Sequence, residues 1–240
     1  MDGRYGTLYM IPCPISDETE PWDVLPAANR AVMDGLDYFI VENVRTARRF
    51  LSRAGIARPI DTLEFRELNE HTVAGRDVEE LIAPLLAGRS AGMISEAGVP
   101  GVADPGALVA EACHRRGIRV VPLVGPSSIL LALMASGLNG QSFAFNGYLP
   151  VKAPERARAV RMLERRAAAE GQSQLFIEAP YRNDKLFAQL LETLAPATRL
   201  MVAVDITAPG ERILTRTVEE WRRSGRPELN KRPALFAIGM

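Results

Sequence analysis

Cysteine is scarce in this sequence, and its two copies lie far apart. Cys13 and Cys113 are the only cysteines among 240 residues, and neither belongs to a CxxC or Cys/His pattern. This spacing excludes a disulfide framework and gives no support for a zinc site. We therefore expect a protein without a metal, in a reducing compartment.

Long apolar runs are also missing. The most apolar stretch, residues 129–135, is far shorter than the roughly 20 residues that a membrane span requires. No basic start followed by an apolar run opens the chain, so we expect no signal peptide. These features predict a cytoplasmic protein that does not enter the membrane.

Net charge is absent from the chain as a whole but not from its parts. Residues 1–150 contain 13 basic and 18 acidic side chains, whereas residues 151–240 contain 16 and 11. The basic excess of residues 151–240 permits contact with a polyanion such as RNA. It is weaker than the clustered stripe of basic residues in dedicated nucleic-acid binders. The hydrophobic fraction of 47% is typical of a folded globular protein.

Short apolar runs alternate with helical patterns over the first 145 residues. The predicted strands are 7–11, 38–41, 90–94 and 119–123, and the predicted helices are 26–33, 44–54, 78–86 and 106–116. This alternation predicts an α/β domain with a largely parallel sheet and helices on both of its faces.

The pattern changes after residue 147. Residues 151–170 form an Arg-rich helical stretch with charges on most faces. Strands are predicted at 174–177, 200–204, 212–215 and 234–238, with a helix at 183–194. We therefore expect an N-terminal α/β domain over residues 1–147 and a smaller α+β domain over residues 148–240.

Two loops rich in small residues follow predicted strands. The first, residues 95–106, precedes a helix and contains three glycines and two prolines. Ligands of open α/β sheets gather at such loops, but the loop matches neither GxGxxG nor the Walker pattern. The alternative is a tight connection capped by Asp104. The second loop, residues 124–128, brings Ser127 and Ser128 to a helix start, where they bind a ligand carboxylate or simply cap the helix.

These segments recur in one order and spacing in a known family. The matching motifs are Gly6-Thr7-Leu8-Tyr9, Pro12-Cys13-Pro14-Ile15, Glu42-Asn43-Val44-Arg45, residues 95–100, Asp104-Pro105-Gly106, Gly125-Pro126-Ser127, Gly147-Tyr148-Leu149-Pro150 and Glu178-Ala179-Pro180-Tyr181-Arg182. The chain resembles the tetrapyrrole (corrin/porphyrin) methylase superfamily over about three quarters of its length. Within that superfamily it is most similar to the enzymes that methylate a ribose 2′-oxygen of 16S rRNA.

The resemblance implies a two-domain class III methyltransferase fold that holds S-adenosylmethionine in the cleft between its domains. It also implies a homodimer and no metal. The residues that it places around the methionine and ribose parts of the cofactor are Pro14, Ser95, Glu96, Gly98, Val99, Val102, Ser127 and Ser128. By the same resemblance, Ile177 and Ala179 lie near the adenine.

A ribose hydroxyl gains from a base, or from a cation that stabilises the developing alkoxide. Our candidates for these catalytic roles are Glu42, Arg45, Asn69 and Glu70. The alternative for the first two is an ion pair at a helix start, and for the last two it is helix capping.

The methyl acceptor is open to more than one interpretation. The resemblance to the ribosomal enzymes predicts rRNA or the small ribosomal subunit as partner, whereas Ser16-Asp17 and Glu96 depart from their pattern. Carbon methylation of a small-molecule tetrapyrrole, or a non-catalytic cofactor-binding role, are the alternatives. A basic run could contact RNA phosphate or be a solvated helix face; it consists of Arg156, Arg158, Arg161, Arg165 and Arg166.

Overall fold

The computed structural model describes residues 5–68 and 76–240. The chain divides into two compact units, Met1–Ser127 and Ser128–Met240. This division precedes the predicted boundary at 147/148 by twenty residues, because the helix at residues 128–136 packs on the sheet of the second unit and residues 143–148 form a strand of that sheet. Sequence texture changed only after that strand, where the Arg-rich helix begins.

The first unit contains a parallel sheet. Its strands are β1 (Thr7–Ile11), β2 (Tyr38–Val41), β3 (Glu64–Glu67), β4 (Ala91–Ile94) and β5 (Arg119–Pro122), in the order β3-β2-β4-β1-β5. Its helices are α1 (Pro21–Val24), α2 (Ala28–Asp34), α3 (Val44–Ala54), α4 (Arg76–Leu86) and α5 (Gly106–Arg115). The predicted α/β class, with a parallel N-terminal sheet, is confirmed.

Helices cover both faces of this sheet because its strands are apolar on both faces. On one face, Met33 of α2 and Leu51 of α3 pack with Phe39. On the other, Ile82 of α4 and Val109 of α5 pack in a separate core cluster. The crossover after β1 therefore uses one face, and that after β4 uses the other. Since β1 and β4 are neighbours, their carboxyl ends define the topological switch point, where ligands of such sheets bind.

The second unit is built on a mixed sheet. Its strands are β6 (Phe143–Tyr148), β7 (Ser173–Ile177), β8 (Arg199–Val204), β9 (Arg212–Thr217) and β10 (Ala234–Gly239), in the order β6-β7-β10-β8-β9. The β6–β7 pair is parallel and the other pairs are antiparallel. The helices are α6 (Ser128–Ser136), α7 (Ala153–Glu170), α8 (Asn183–Thr193) and α9 (Val218–Ser224). The predicted α+β character of this part is also confirmed.

Among the α-helices and strands of the described ranges, four were absent from the sequence prediction. They are α1, β3, β6 and α9. In β3, Phe65 is half-buried between charged neighbours, as is usual at the edge of a sheet. Helix α9 begins with a capping box between Thr217 and Glu220. This spacing is a sequence pattern that indicates the start of a helix. Within residues 5–68 and 76–240, the helices are all too short or too polar to cross a membrane.

Candidate functional site

The loops that follow β1 and β4 are joined backbone to backbone. The Cys13 N–H donates to the carbonyl oxygen of Gly98 at 2.9 Å, which forms an isolated bridge. The Cys13 thiol is buried and its Sγ lies 3.4 Å from the carbonyl oxygen of Ser95. Burial raises the pKa of this thiol to about 12, so it stays protonated and acts as a donor. Sequence reasoning gave Cys13 no role.

Two glycines allow these loops to approach closely. Gly98 has a φ of +71°, and a Cβ there would lie 3.3 Å from the carbonyl oxygen of Pro126, in the loop after β5. A Cβ on Gly125 would lie only 2.3 Å from Cγ of Pro12, in the loop after β1. We call the three loops, residues 12–16, 95–102 and 123–127, the cradle. It lies at the carboxyl ends of the neighbouring strands β4, β1 and β5.

Polar side chains brace the cradle from outside. Buried Asn29 donates from Nδ2 to the carbonyl oxygen of Val124 at 2.8 Å. Asp104 accepts from the backbone N–H of Gly101 at 2.9 Å and of Gly106 at 2.7 Å. Asp104 therefore fixes the turn that leads into α5, as the structural interpretation of this loop predicted.

A small cavity lies beside the cradle. Pro14, Ser95 and Glu96 are among its lining residues, and its volume is about 30 Å³. It is too small for a nucleoside and therefore cannot hold such a ligand by itself. Across it, Arg49 of α3 forms an ion pair with Asp17 at 2.7 Å. The loop that contains Asp17 is thus linked to α3.

Glu42 is a catalytic candidate that contacts the cradle. It follows β2, and its Oε2 accepts a hydrogen bond from the Glu96 N–H at 3.1 Å. Burial raises its pKa, the Glu96 N–H opposes that shift, and the charges of Glu96 and Asp104 add to it. The Glu42 carboxylate is therefore hydrogen-bonded to the loop 95–102, which contains predicted cofactor residues.

Arg45 has a different setting. Asn43 caps α3, because its side chain accepts from the N–H groups of Arg45 and Thr46. The Arg45 side chain is exposed, and no ion pair joins it to Glu42 in the described part of the chain. The alternative of a helix-start pair is thus wrong. The other two candidates, Asn69 and Glu70, lie outside the described residues.

The remaining predicted cofactor residues are distributed over both units. Val99 and Ser127 are half-buried in the cradle, and the side chain of Val102 is 48% exposed. Ser128 is the first residue of α6. Ile177 ends β7, and Ala179 precedes the 3-10 turn Pro180–Arg182.

A buried carboxylate stands between these last two residues. The Glu178 side chain is 1% exposed, and its Oε1 accepts from the Ala179 N–H at 2.7 Å and from Arg182 at 2.6 Å. Arg156 of α7 lies 3.9 Å from Oε2. Arg156 therefore fits neither interpretation of the basic run, RNA contact or solvated helix face, because this residue is 6% exposed and pairs with a buried carboxylate. Sequence reasoning also missed the role of Glu178.

Taken together, the parallel sheet, the switch point and the glycine-lined cradle define a cofactor-binding α/β enzyme. Over the described ranges, no group of three or more His, Cys, Asp or Glu residues is placed to hold a metal.

Comparison with known proteins identifies the family. The model of the tetrapyrrole (corrin/porphyrin) methylases matches residues 24–221. A ribosomal RNA small subunit methyltransferase I of Xylella fastidiosa is 31% identical over 97% of this chain and 80% of its own length. The corresponding Neisseria meningitidis serogroup B protein is 33% identical over 90% and 69%. The solved structure of the methyltransferase CobJ has a TM-score of 0.63 at 17% identity, covering 98% of this chain and 94% of that one.

The chain belongs to the tetrapyrrole methylase family. The predicted class, a methyltransferase that depends on S-adenosylmethionine, is thereby confirmed.

Proposed function

We propose that this enzyme methylates a ribose 2′-oxygen of 16S rRNA in the small ribosomal subunit. The observation that carries the proposal is the similarity to proteins named for small-subunit ribosomal RNA, which extends over 97% of this chain. The positive excess of residues 151–240 supports it, because an RNA acceptor is a polyanion. We further propose that the protein is cytoplasmic and forms a homodimer, as the resemblance implies.

The cradle fits the proposed cofactor site. Its glycines let the three loops approach closely, and a side chain at Gly98 would meet the carbonyl oxygen of Pro126 in the neighbouring loop. When bound, S-adenosylmethionine supplies a methyl group on a sulfonium. The residues that we propose for contact from the first unit are Pro14, Ser95, Glu96, Gly98, Val99, Val102 and Ser127. For the second unit, the predicted cofactor contacts are Ser128, Ile177 and Ala179.

In methyl transfer the chain's main task is to hold acceptor and donor in line, which supplies up to about 7–11 kcal/mol. Asp104 and Asn29 serve that task by fixing the cradle. We assign the proton of the ribose hydroxyl to Glu42, because its carboxylate is held against the 95–102 loop. Arg45, Asn69 and Glu70 remain predicted helpers at the acceptor.

Replacing Glu42 by glutamine is expected to lower kcat by about 10²- to 10⁴-fold, the usual contribution of a general base. Only the ionised carboxylate accepts a proton, and burial raises the pKa of Glu42 from its ordinary value. In the wild type, kcat/KM should therefore rise with pH through that raised pKa and then level off. The variant should lack this acid limb.

Glu67→Gln is the matched control, since Glu67 is exposed and ends β3, the strand next to β2. It should keep both the rate and the acid limb. A Glu42→Gln enzyme with an unchanged pH profile would remove the base from the mechanism.

The acceptor is tested by transfer of a labelled methyl group. Calorimetry with S-adenosylmethionine comes first, followed by incubation with 30S subunits that lack the modification or with a porphyrinoid. We expect label in 16S rRNA, resistant to alkali at one ribose. Label only in the porphyrinoid would establish the tetrapyrrole alternative, and cofactor binding without any transfer would establish a non-catalytic protein.

A further inference from the structure

A positively charged cavity lies in the second unit, apart from every residue assigned above. It has a volume of about 210 Å³ and opens between β8, β9 and residues 224–228. Four arginines line it, and Glu228 is the acidic residue among its lining side chains. The four are Arg212, Arg216, Arg226 and Arg232, which we call the arginine pocket.

The sequence pattern of β9 explains the cluster. Arg212, Leu214 and Arg216 alternate along the strand, so they share one face of the sheet. The Arg216 guanidinium lies 5.1 Å from the ring centre of Trp221. That indole is 2% exposed and donates from Nε1 to the carbonyl oxygen of Leu200 at 2.8 Å. Arg216 is therefore held over a fixed ring, and little side-chain freedom remains to be lost on binding.

The opposite wall is also fixed. Arg232 forms an ion pair with Asp205 at 2.6 Å and donates to the carbonyl oxygen of Gly210 at 2.9 Å. Glu228 lies 3.9 Å from Arg232, but its side chain is 85% exposed. The carboxylates of Asp205 and Glu228 thus both lie beside Arg232, the arginine that already has an ion pair.

The other three arginines have an unsatisfied charge. No carboxylate of a described residue lies within ion-pair distance of Arg212, Arg216 or Arg226. Glu220 lies close enough to sense the charge of Arg216, but its carboxylate accepts from the backbone and hydroxyl of Thr217 in the capping box. Apolar walls formed by Trp221 and β8 intensify the positive potential of the pocket.

We propose that the arginine pocket binds a backbone phosphodiester of the RNA acceptor. The inference rests on the proposed function for the identity of that acceptor. Guanidinium groups bind phosphate oxygens through paired hydrogen bonds. Three unpaired arginines around one cavity match a singly charged backbone phosphate together with the adjacent phosphates of the same RNA strand. The volume leaves room for a phosphate together with part of a ribose. Such contacts set the register of the RNA and contribute affinity, without reading its sequence.

The test compares two double variants that remove the same charge. Arg212→Gln with Arg226→Gln changes the pocket, whereas Arg158→Gln with Arg161→Gln changes exposed positions on α7. The probe is in vitro transcribed 16S rRNA, with Kd measured at several salt concentrations. We expect the pocket pair to raise Kd about 10-fold. It should also lower the slope of log Kd against log salt concentration by the amount that corresponds to about one to two phosphate contacts. The α7 pair should change Kd less than about 2-fold. Thermal unfolding and cofactor affinity should stay at wild-type values in both.

Several results would overturn the proposal. Equal weakening by both pairs would mean that binding follows net charge or the exposed face of α7 as much as the pocket, and an unchanged Kd in the pocket pair would mean that the pocket is not used. If poly-glutamate or free phosphate bound in a pocket-dependent way while the transcript did not, the site would serve another ligand.

Failure of the proposed function gives a different pattern. Wild-type protein that binds the transcript through the pocket but transfers no methyl group to 30S subunits would refute the function and keep the pocket. Normal transfer to 30S subunits by the pocket pair, with normal RNA affinity, would refute the pocket and keep the function.

Discussion

Replacing Gly98 by arginine is expected to weaken S-adenosylmethionine binding at least about 100-fold, or ~2.8 kcal/mol. Gly98 has a φ of +71°, and its Cβ position lies 3.3 Å from the carbonyl oxygen of Pro126. Any side chain there must push two loops of the cradle apart, and a long one also fills the space that we assign to the cofactor. Calorimetric titration with S-adenosylmethionine measures the loss.

Gly171→Arg provides the matched control. Gly171 has a φ of +61° and no heavy atom within 4 Å of its Cβ position, so the same residue meets the same backbone strain in open space. It should keep wild-type cofactor affinity. Gly98→Ala covers the case in which the arginine variant does not fold, with an expected loss of about 10-fold for a single methyl group. Equal affinity in wild type, Gly98→Ala and Gly98→Arg would show that the cofactor binds elsewhere.

Much of the fold was predictable, because each strand of the first sheet except β3 is a short apolar run next to a helical pattern. Helix α3 was predicted with its bounds, since its apolar positions are periodic and Gly55 ends it. Strand β3 escaped because it lies at the sheet edge, where two of its four residues are half-buried and two are exposed. Strand β6 escaped because Asn146 and Gly147 interrupt its pattern, and the domain boundary moved with it.

The site was predictable as loops but not as contacts. Glycines and prolines after β4 indicated a ligand loop, and the structure brings Gly98 against Pro126 as such a loop requires. The bridge between Cys13 and Gly98 depends on which strands are neighbours, which local sequence does not specify. The arginine pocket combines two strands, a helix and a loop, so its residues have no common motif. Charge counts showed a basic excess in residues 151–240 but not which arginines line one cavity.

Replacing Glu178 by alanine is expected to lower the free energy of unfolding of the second unit by about 3–5 kcal/mol. The carboxylate is 1% exposed and neutralises Arg182 and the buried Arg156. Without it, Arg156 keeps neutral acceptors on Gln189 and Val151 but loses its counter-charge. An unpaired buried guanidinium is the main source of the expected cost.

The experiment separates that cost from the loss of an ordinary ion pair. Glu219 and Arg223 have the same i,i+4 spacing as Glu178 and Arg182, but their side chains are 54% and 75% exposed. Glu219→Ala should therefore cost about 0–1 kcal/mol. Urea unfolding is followed by the fluorescence of Trp221 in a Trp22→Phe background, so that only the second unit reports. Adding Arg156→Ala to Glu178→Ala should recover part of the stability, because it removes the unpaired charge. A double variant less stable than Glu178→Ala would instead assign the loss to packing around Arg156.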